Sequence, residues 1–346
     1  MKFLFDIGHP ADVHYFRNTI NFLQDRGHAV RIYARDKDVT HKLLSAYGFE
    51  FVSKGRGGRL ISDRLTYTIK SLQKLHEGVS DFNPDICVSH ASPYLAMMAR
   101  LHGVPNIMFN DTERAALFKT VLRFFKPEVY SPDSFTEADE NRQKLVPSYM
   151  ELAYLHPDHF NPNEKIKEMT GENYILLRFV GNHATHDLGY PGITDDQKRE
   201  MVERLKHYAT VWISSEESLP DDLQAYRLQV SEEQIHDVIA FSRLVMGGSG
   251  TMSSEAAMLG VPAIFVNNNR LGYINELGDT YGLVYRYRNR KPERENALQR
   301  AAKILEDKHT EKYAERRRKM LADKQNMTRI MLDIISQKAV ELGKEV

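Results

Sequence analysis

Residues 244–266 read Leu244-Val-Met-Gly-Gly-Ser-Gly-Thr-Met-Ser-Ser-Glu-Ala-Ala-Met-Leu-Gly-Val-Pro-Ala-Ile-Phe-Val266. An apolar run feeds a glycine-rich turn. The turn opens a segment rich in Ala, Met and Leu, which Gly260 stops before a second apolar run. That order predicts a βαβ unit whose parallel strands are buried on both faces. Glycines at 247, 248 and 250 let main-chain amides approach a ligand with no Cβ in the way, and the first amides of a helix lack intrahelical partners, so the turn suits a phosphate or diphosphate. Ser249, Thr251, Ser253 and Ser254 add hydroxyls at the same end, and Glu255, one turn in, is placed to accept both hydroxyls of a ribose. The alternative is a tight turn with Ser or Thr as helix cap and Glu255 complementing the helix dipole. The run has no P-loop lysine and is not G-x-G-x-x-G in a first βα unit, which disfavours a P-loop ATPase and a nicotinamide enzyme.

Outward from this unit the same alternation continues. Strands are expected at 173–180, 209–214, 225–229, 243–246 and 262–266, with helices at 195–207, 232–242 and 252–259. Thr194-Asp-Asp-Gln197 and Ser231-Glu-Glu-Gln234 fit the capping box. The first half repeats the pattern, with strands expected at 2–7, 29–34, 49–53, 85–90, 106–110 and 128–131. Between the first two, Phe16, Ile20 and Leu23 recur at helical spacing, and Gly27 supplies a stop. Pro147, Pro157 and Pro162 interrupt the periodicity, so the linker belongs there. Two α/β domains follow, 1–157 and 158–324, with a final helix at 325–346 packing back on the first.

The 346 residues agree with two domains at ~150 residues each. Hydrophobic residues at 42% and charged residues at 27% exclude a low-complexity or disordered chain. Lys plus Arg is 47 and Asp plus Glu is 47, so no net charge draws the chain to nucleic acid or an anionic membrane. Single Cys87 cannot form an internal disulfide, and no signal peptide or long apolar span is present. A cytoplasmic protein is expected. His156/His159 and His183/His186 show H-x-x-H spacing, but a zincin needs H-E-x-x-H on a helix, so no metal is expected. No cofactor is expected either.

Ser249-Gly-Thr-Met-Ser-Ser-Glu255, continued by Leu259-Gly-Val-Pro262, resembles the C-terminal nucleotide-binding motif of GT-B enzymes, which include the non-hydrolysing UDP-N-acetylglucosamine 2-epimerases and MurG-like glycosyltransferases. With Asp6-Ile-Gly-His-Pro-Ala-Asp-Val-His14 and Tyr154-Leu-His-Pro157, the whole chain resembles an uncharacterised archaeal and bacterial family within that fold. The resemblance implies two Rossmann-like domains facing across a cleft, with a nucleoside-diphosphate sugar held by the second. Gly248, Ser249, Gly250 and Thr251, with Ser254, would then meet the diphosphate and Glu255 the ribose. Arg178, at the end of its strand, is either further positive charge for the leaving group or an ordinary surface arginine. Asn182, His183, His186 and Asp187 are read as a loop contacting nucleotide or sugar.

The first βα loop holds His9, Asp12 and His14, a plausible acid/base set, since imidazole titrates near neutrality. His14 is preferred, being nearer a rigid helix; either histidine alone can also be structural. Asp111 and Glu113 follow the fifth strand where the epimerases carry a catalytic glutamate; the alternative is a helix cap and an acidic first turn. The epimerases have an aspartate after the fourth strand, whereas this chain has His90. The expected function is therefore glycosyl transfer in surface-polysaccharide or glycolipid assembly, with epimerisation the near alternative and a non-catalytic nucleotide-sugar-binding protein a third. The acceptor would be a glycan or a lipid-linked molecule. Residues 115–126 mix large apolar side chains with basic ones, so they fit either core packing through Leu117, Val121 and Phe125 or a peripheral contact at the inner face of a membrane.

Overall fold

A computed structural model describes residues 1–58, 61–111, 120, 123–136, 142–181, 192–307 and 309–346. It divides into two compact units, Met1–His159 with Gln325–Val346, and Phe160–Lys324.

In the first unit, strands β1 (Lys2–Ile7), β2 (Ala29–Ala34), β3 (Val52–Ser53), β4 (Ile86–His90), β5 (Asn106–Phe109), β6 (Glu128–Pro132) and β7 (Gln143–Val146) form a parallel sheet in the order β3-β2-β1-β4-β5-β6-β7. Alternate side chains of β1 leave on opposite faces. Phe5 meets Phe16 of α1 (Pro10–Asp25) edge-on at 5.5 Å. Leu4 and Cys87 pack with Leu75 and Val79 of α3 (Ile61–Phe82) and Leu95 and Met98 of α4 (Pro93–His102), the helices that follow α2 (Thr40–Ala46). Burial on both faces explains the unbroken apolar runs. It also raises the pKa of the Cys87 thiol, with Asp6 adding to the effect. Helix Met327–Glu341 joins this unit: Thr328 donates to the Ala153 carbonyl at 2.7 Å, and Asn326 caps it by accepting from the Arg329 amide.

The second unit holds β8 (Tyr174–Phe179), β9 (Thr210–Ser215), β10 (Val245–Gly247), β11 (Ala263–Val266) and β12 (Val284–Tyr287), parallel in the order β12-β11-β10-β8-β9. The Thr194 box closes helix Asp195–Leu205 as expected: the Gln197 amide donates to Thr194 Oγ1, and the Thr194 amide to Gln197 Oε1 at 3.1 Å. At Ser231, the amide and hydroxyl both donate to Gln234 Oε1, and the expected helix 232–242 divides into a single 3₁₀ turn and helix Ile235–Phe241.

The strand expected at 225–229 does not form. Asp221–Tyr226 is a 3₁₀ helix, and Arg227 makes one isolated bridge to Ile213. The Pro220-Asp-Asp222 start favours that turn, and Gln224 fastens it by donating to the Leu219 carbonyl at 2.6 Å. Edge strands β7 and β12 escape sequence reading because each is four residues long with part of its surface in solvent, and so lacks an apolar run.

Gly247 has no room for any side chain, since a Cβ there would fall 1.9 Å from the Arg178 carbonyl oxygen. Gly247→Ala is therefore expected to destabilise the protein by about 1–3 kcal/mol or more, read as a lowered midpoint in urea; an unchanged midpoint would contradict the close approach of β10 to β8.

Candidate functional site

Ligands of open α/β sheets collect where strand order reverses, at the carboxyl ends of the strands. In the second unit that point lies between β8 and β10, and the glycine loop sits on it. The Gly248 amide donates to the Arg178 carbonyl at 3.1 Å, and Asn267 Nδ2 donates to the Gly248 carbonyl at 2.9 Å, so the loop is stapled on both sides. Helix Gly250–Met258 starts there with Ser249 as its cap, accepting from the Met252 amide at 3.2 Å. The amides of Ser249, Gly250 and Thr251 make no hydrogen bond among the described residues, and these three residues are half-buried. The Ser249 cap thus leaves these three amides unengaged among the described residues.

The hydroxyls behave otherwise than expected. Ser253 donates to the Ser249 carbonyl and Ser254 to the Thr251 carbonyl, both at 2.8 Å, and both residues are buried. They stabilise the first turn and are not offered at the loop's mouth. Arg178 is also engaged: its guanidinium donates to Ser214 Oγ at 2.8 Å and to Glu216 Oε1 at 2.6 Å, and Glu216 in turn accepts from the Gly181 amide. Its charge is matched locally by Glu216, a partner that sequence reading did not foresee. Glu255 is buried, with Oε1 3.0 Å from Nε2 of His236, also buried. Beside Asn267 lies a cavity of ≈390 Å³ bounded also by Asn269, Arg270, Asn275 and Arg288. His183, His186, Asn182 and Asp187 lie outside the described residues.

In the first unit the strand order reverses between β1 and β4, and register sets Asp6 beside Ser89 and His90 beside Phe109. His9 caps α1 by accepting the Ala11 amide on Nδ1 at 3.2 Å. Asp12 completes a capping box, its Oδ2 taking the Gly8 amide at 2.8 Å and the His9 amide at 3.0 Å. Its other oxygen, Oδ1, lies 3.1 Å from His90 Nδ1 as an ion contact off the hydrogen-bond axis. The opposite ring nitrogen, Nε2, is 2.9 Å from Asp111 Oδ1, and Tyr15 donates to Asp111 Oδ2 at 3.3 Å. Burial disfavours charge on His90, but Asp111 and then Asp12 outweigh it and push the pKa up to about 10. His90 is therefore an imidazolium held between two carboxylates. Ala91, at φ 47°, takes a left-handed backbone between His90 and the α4 cap Ser92, a strained turn of the kind found at working sites. Beside this row Lys54 donates to Asp6 Oδ1 and Ser92 to Asp6 Oδ2 in a buried cluster.

The structure reverses the preference for His14. That ring is buried, 3.2 Å from the Tyr47 hydroxyl through Nδ1 and stacked on Tyr154 at 5.2 Å, because its position on α1 faces the packed helix Leu152–Leu155. His9 is exposed at the rim. Desolvation of the imidazole by the atoms around it, and then Lys37, lower its pKa against the opposing pull of Asp12 and Asp38. Because Nδ1 accepts the Ala11 amide, the neutral ring carries its proton on Nε2 and is a donor rather than a base. Asp111 is the sequence candidate that remains partly open, at 16% side-chain exposure. Glu113 lies outside the described residues. So do Leu117 and Val121, while Phe125 packs against Ala96, Met108 and Val129 and Phe124 is exposed. His156 and His159 contact Asn326, and no group of three metal-ligating side chains gathers among the described residues. Among those residues no helix is long and apolar enough to cross a membrane.

Residues 1–340 match the model of a family described as a protein of unknown function, DUF354. The uncharacterized protein MJ0665 of Methanocaldococcus jannaschii is 21% identical over 275 residues, covering 75% of this chain and 80% of its own length. Among solved structures, UDP-GlcNAc 2-epimerase from Neisseria meningitidis bound to UDP-GlcNAc is similar with a TM-score of 0.68 at 15% identity, over 97% of this chain and 99% of that one. The spinosyn forosaminyltransferase SpnP is similar with a TM-score of 0.64 at 14% identity, over 98% and 99%. These likenesses establish the GT-B fold.

Proposed function

The chain belongs to the DUF354 family, and from the strand-end geometry of its two units we propose that it transfers a glycosyl group from a nucleoside-diphosphate sugar to an acceptor hydroxyl. The observation that carries this is the row of amides at Ser249, Gly250 and Thr251, without partners among the described residues at the start of a helix and at the strand-order reversal of its sheet. In that seat the helix terminus stabilises charge developing on a departing diphosphate. Glu255, aimed by His236, accepts the ribose hydroxyls. The asparagine-lined cavity beside Asn267 supplies the hydrogen-bonding surface a sugar needs.

Transfer also needs a base. Asp111 takes the acceptor's hydroxyl proton, the acceptor oxygen bonds the anomeric carbon, and the bond from that carbon to the diphosphate oxygen breaks with its electron pair on the leaving group. His90 and Tyr15 position the carboxylate. A glycan or lipid-linked acceptor of surface-polysaccharide or glycolipid assembly fits this scheme.

Purified protein offered sugar nucleotides with acceptors is expected to release nucleoside diphosphate only when both are present. Isomerisation of the sugar without acceptor would assign epimerase chemistry instead, and binding without turnover a carrier. Glu255→Ala is expected to weaken nucleotide affinity by about 1.5–3 kcal/mol, roughly 10- to 150-fold, by titration calorimetry. Unchanged affinity would restrict Glu255 to holding His236.

A further inference from the structure

One cavity of the first unit plays no part in the transfer chemistry above. Past β3 the chain runs Lys54-Gly-Arg-Gly-Gly58, and this turn, with Asp63, Tyr67 and Lys70 of α3, bounds a space of ≈550 Å³. Lys54 is neutralised by Asp6, which leaves Arg56 and Lys70, both exposed, facing the single carboxylate of Asp63. Arg35 adds a third cation: its guanidinium stacks on Tyr67 at 4.9 Å and lies against Gly57, where a Cβ would come within 2.5 Å of it. At Gly58 a Cβ would meet Asp63 Oδ2 at 2.2 Å. The two glycines thus let Arg35 and Asp63 lie close against this wall. The amides of Arg56, Gly57 and Gly58 make no hydrogen bond among the described residues.

Guanidinium and ammonium groups beside consecutive main-chain amides form the donor set that recognises a phosphate. The cavity lies on the same row of strand ends as Asp111, since its floor residue Lys54 is bonded to Asp6, and Asp6 in turn to Ser92, two residues past His90. We propose that this cavity binds the phosphate or diphosphate of an anionic acceptor whose hydroxyl is delivered toward Asp111. This assignment of the acceptor class rests on the transfer reading. The phosphate can belong to a soluble sugar phosphate or to a prenyl-linked one. Leu65 and Ile69, 61% and 49% exposed on the same helix as Lys70, give an apolar rim that suits the second.

The test is titration of the full chain with inorganic pyrophosphate. Wild type should show two sites, one in this cavity and one at Ser249–Thr251. Arg56→Glu/Lys70→Glu changes two exposed side chains, so the fold should persist; it is expected to lose one site, with affinity there down at least about tenfold, and to bind nucleoside diphosphate as wild type does. Gly250→Val, which crowds Leu271 and Tyr273, should lose the other site and nucleotide binding with it. Pyrophosphate binding unaffected by the double charge reversal would overturn the cavity assignment. Absence of nucleotide binding while the Arg56/Lys70-dependent site persists would instead overturn the transfer reading. Displacement of pyrophosphate from the cavity by a hexose 1-phosphate, or by a short prenyl phosphate, supports the proposal and identifies the source. Displacement by neither overturns it.

Discussion

Asp111→Asn is expected to lower turnover by about 10²- to 10⁴-fold while donor affinity stays within about twofold, because a general base contributes to the transition state and not to nucleotide binding. The substitution is close to isosteric. Asn keeps Oδ1 to accept from His90, and its Nδ2, in place of the oxygen that Tyr15 meets, can donate to the Tyr15 hydroxyl, so both partners are retained while the capacity to take a proton is lost. Parallel steady-state rates and calorimetric affinities separate the roles. A fall in affinity with turnover per bound donor unchanged would make Asp111 a binding residue, and full activity in Asp111→Asn would return the base to another group. His14→Ala, by contrast, should act through stability, since its ring is packed between Tyr47 and Tyr154.

The second large effect concerns His90. In the folded protein its pKa stands at about 10 against an ordinary 6.5, so the folded state binds a proton more tightly than the unfolded chain does. The stability this contributes is fully present below about pH 6.5 and is lost as pH rises toward and through 10. Wild type should therefore become steadily easier to denature across that window. His90→Ala leaves Asp12 and Asp111 facing each other without the cation and is expected to cost ~3–5 kcal/mol at neutral pH, the range for removing one partner of a buried ion pair. Urea midpoints at pH 6, 8 and 10 test both statements: the variant should lose much of the wild-type slope. Equal slopes in the two proteins would mean that His90 is not charged in the fold.

Much of the scaffold was readable because its signals are local. Apolar runs placed most strands, the spacing of Phe16, Ile20 and Leu23 marked the buried face of α1, Gly27 follows that helix in a left-handed turn, and the Thr194 box formed as its spacing requires. The glycine loop was legible for the same reason: its shape depends on residues within a few positions of one another, and the GT-B fold could be inferred from it, the family only from it together with Asp6–His14 and Tyr154–Pro157. The site's electrostatics were not. Glu255 and His236 are 19 residues apart, His90 and Asp111 21, and Arg178 and Glu216 38, and no local pattern announces such pairs.

His14 shows the limit most plainly. A histidine at the start of a helix after the first strand has the right chemistry and the right place in the chain, but helical phase turns it toward Tyr154 and away from solvent. His90 carried a weaker signal, a lone histidine at a strand end. Sequence alone determined which apolar runs become the central strands of each sheet, where the chain turns between them, and that a glycine loop opens a helix, since each follows from neighbours along the backbone; it did not determine the edge strands β7 and β12 or the 3₁₀ helix at Asp221–Tyr226. Tertiary structure decided which charged and titratable side chains meet, because a buried charge is tolerable only beside its partner, and the sheet's strand order, not distance along the chain, brings partners together.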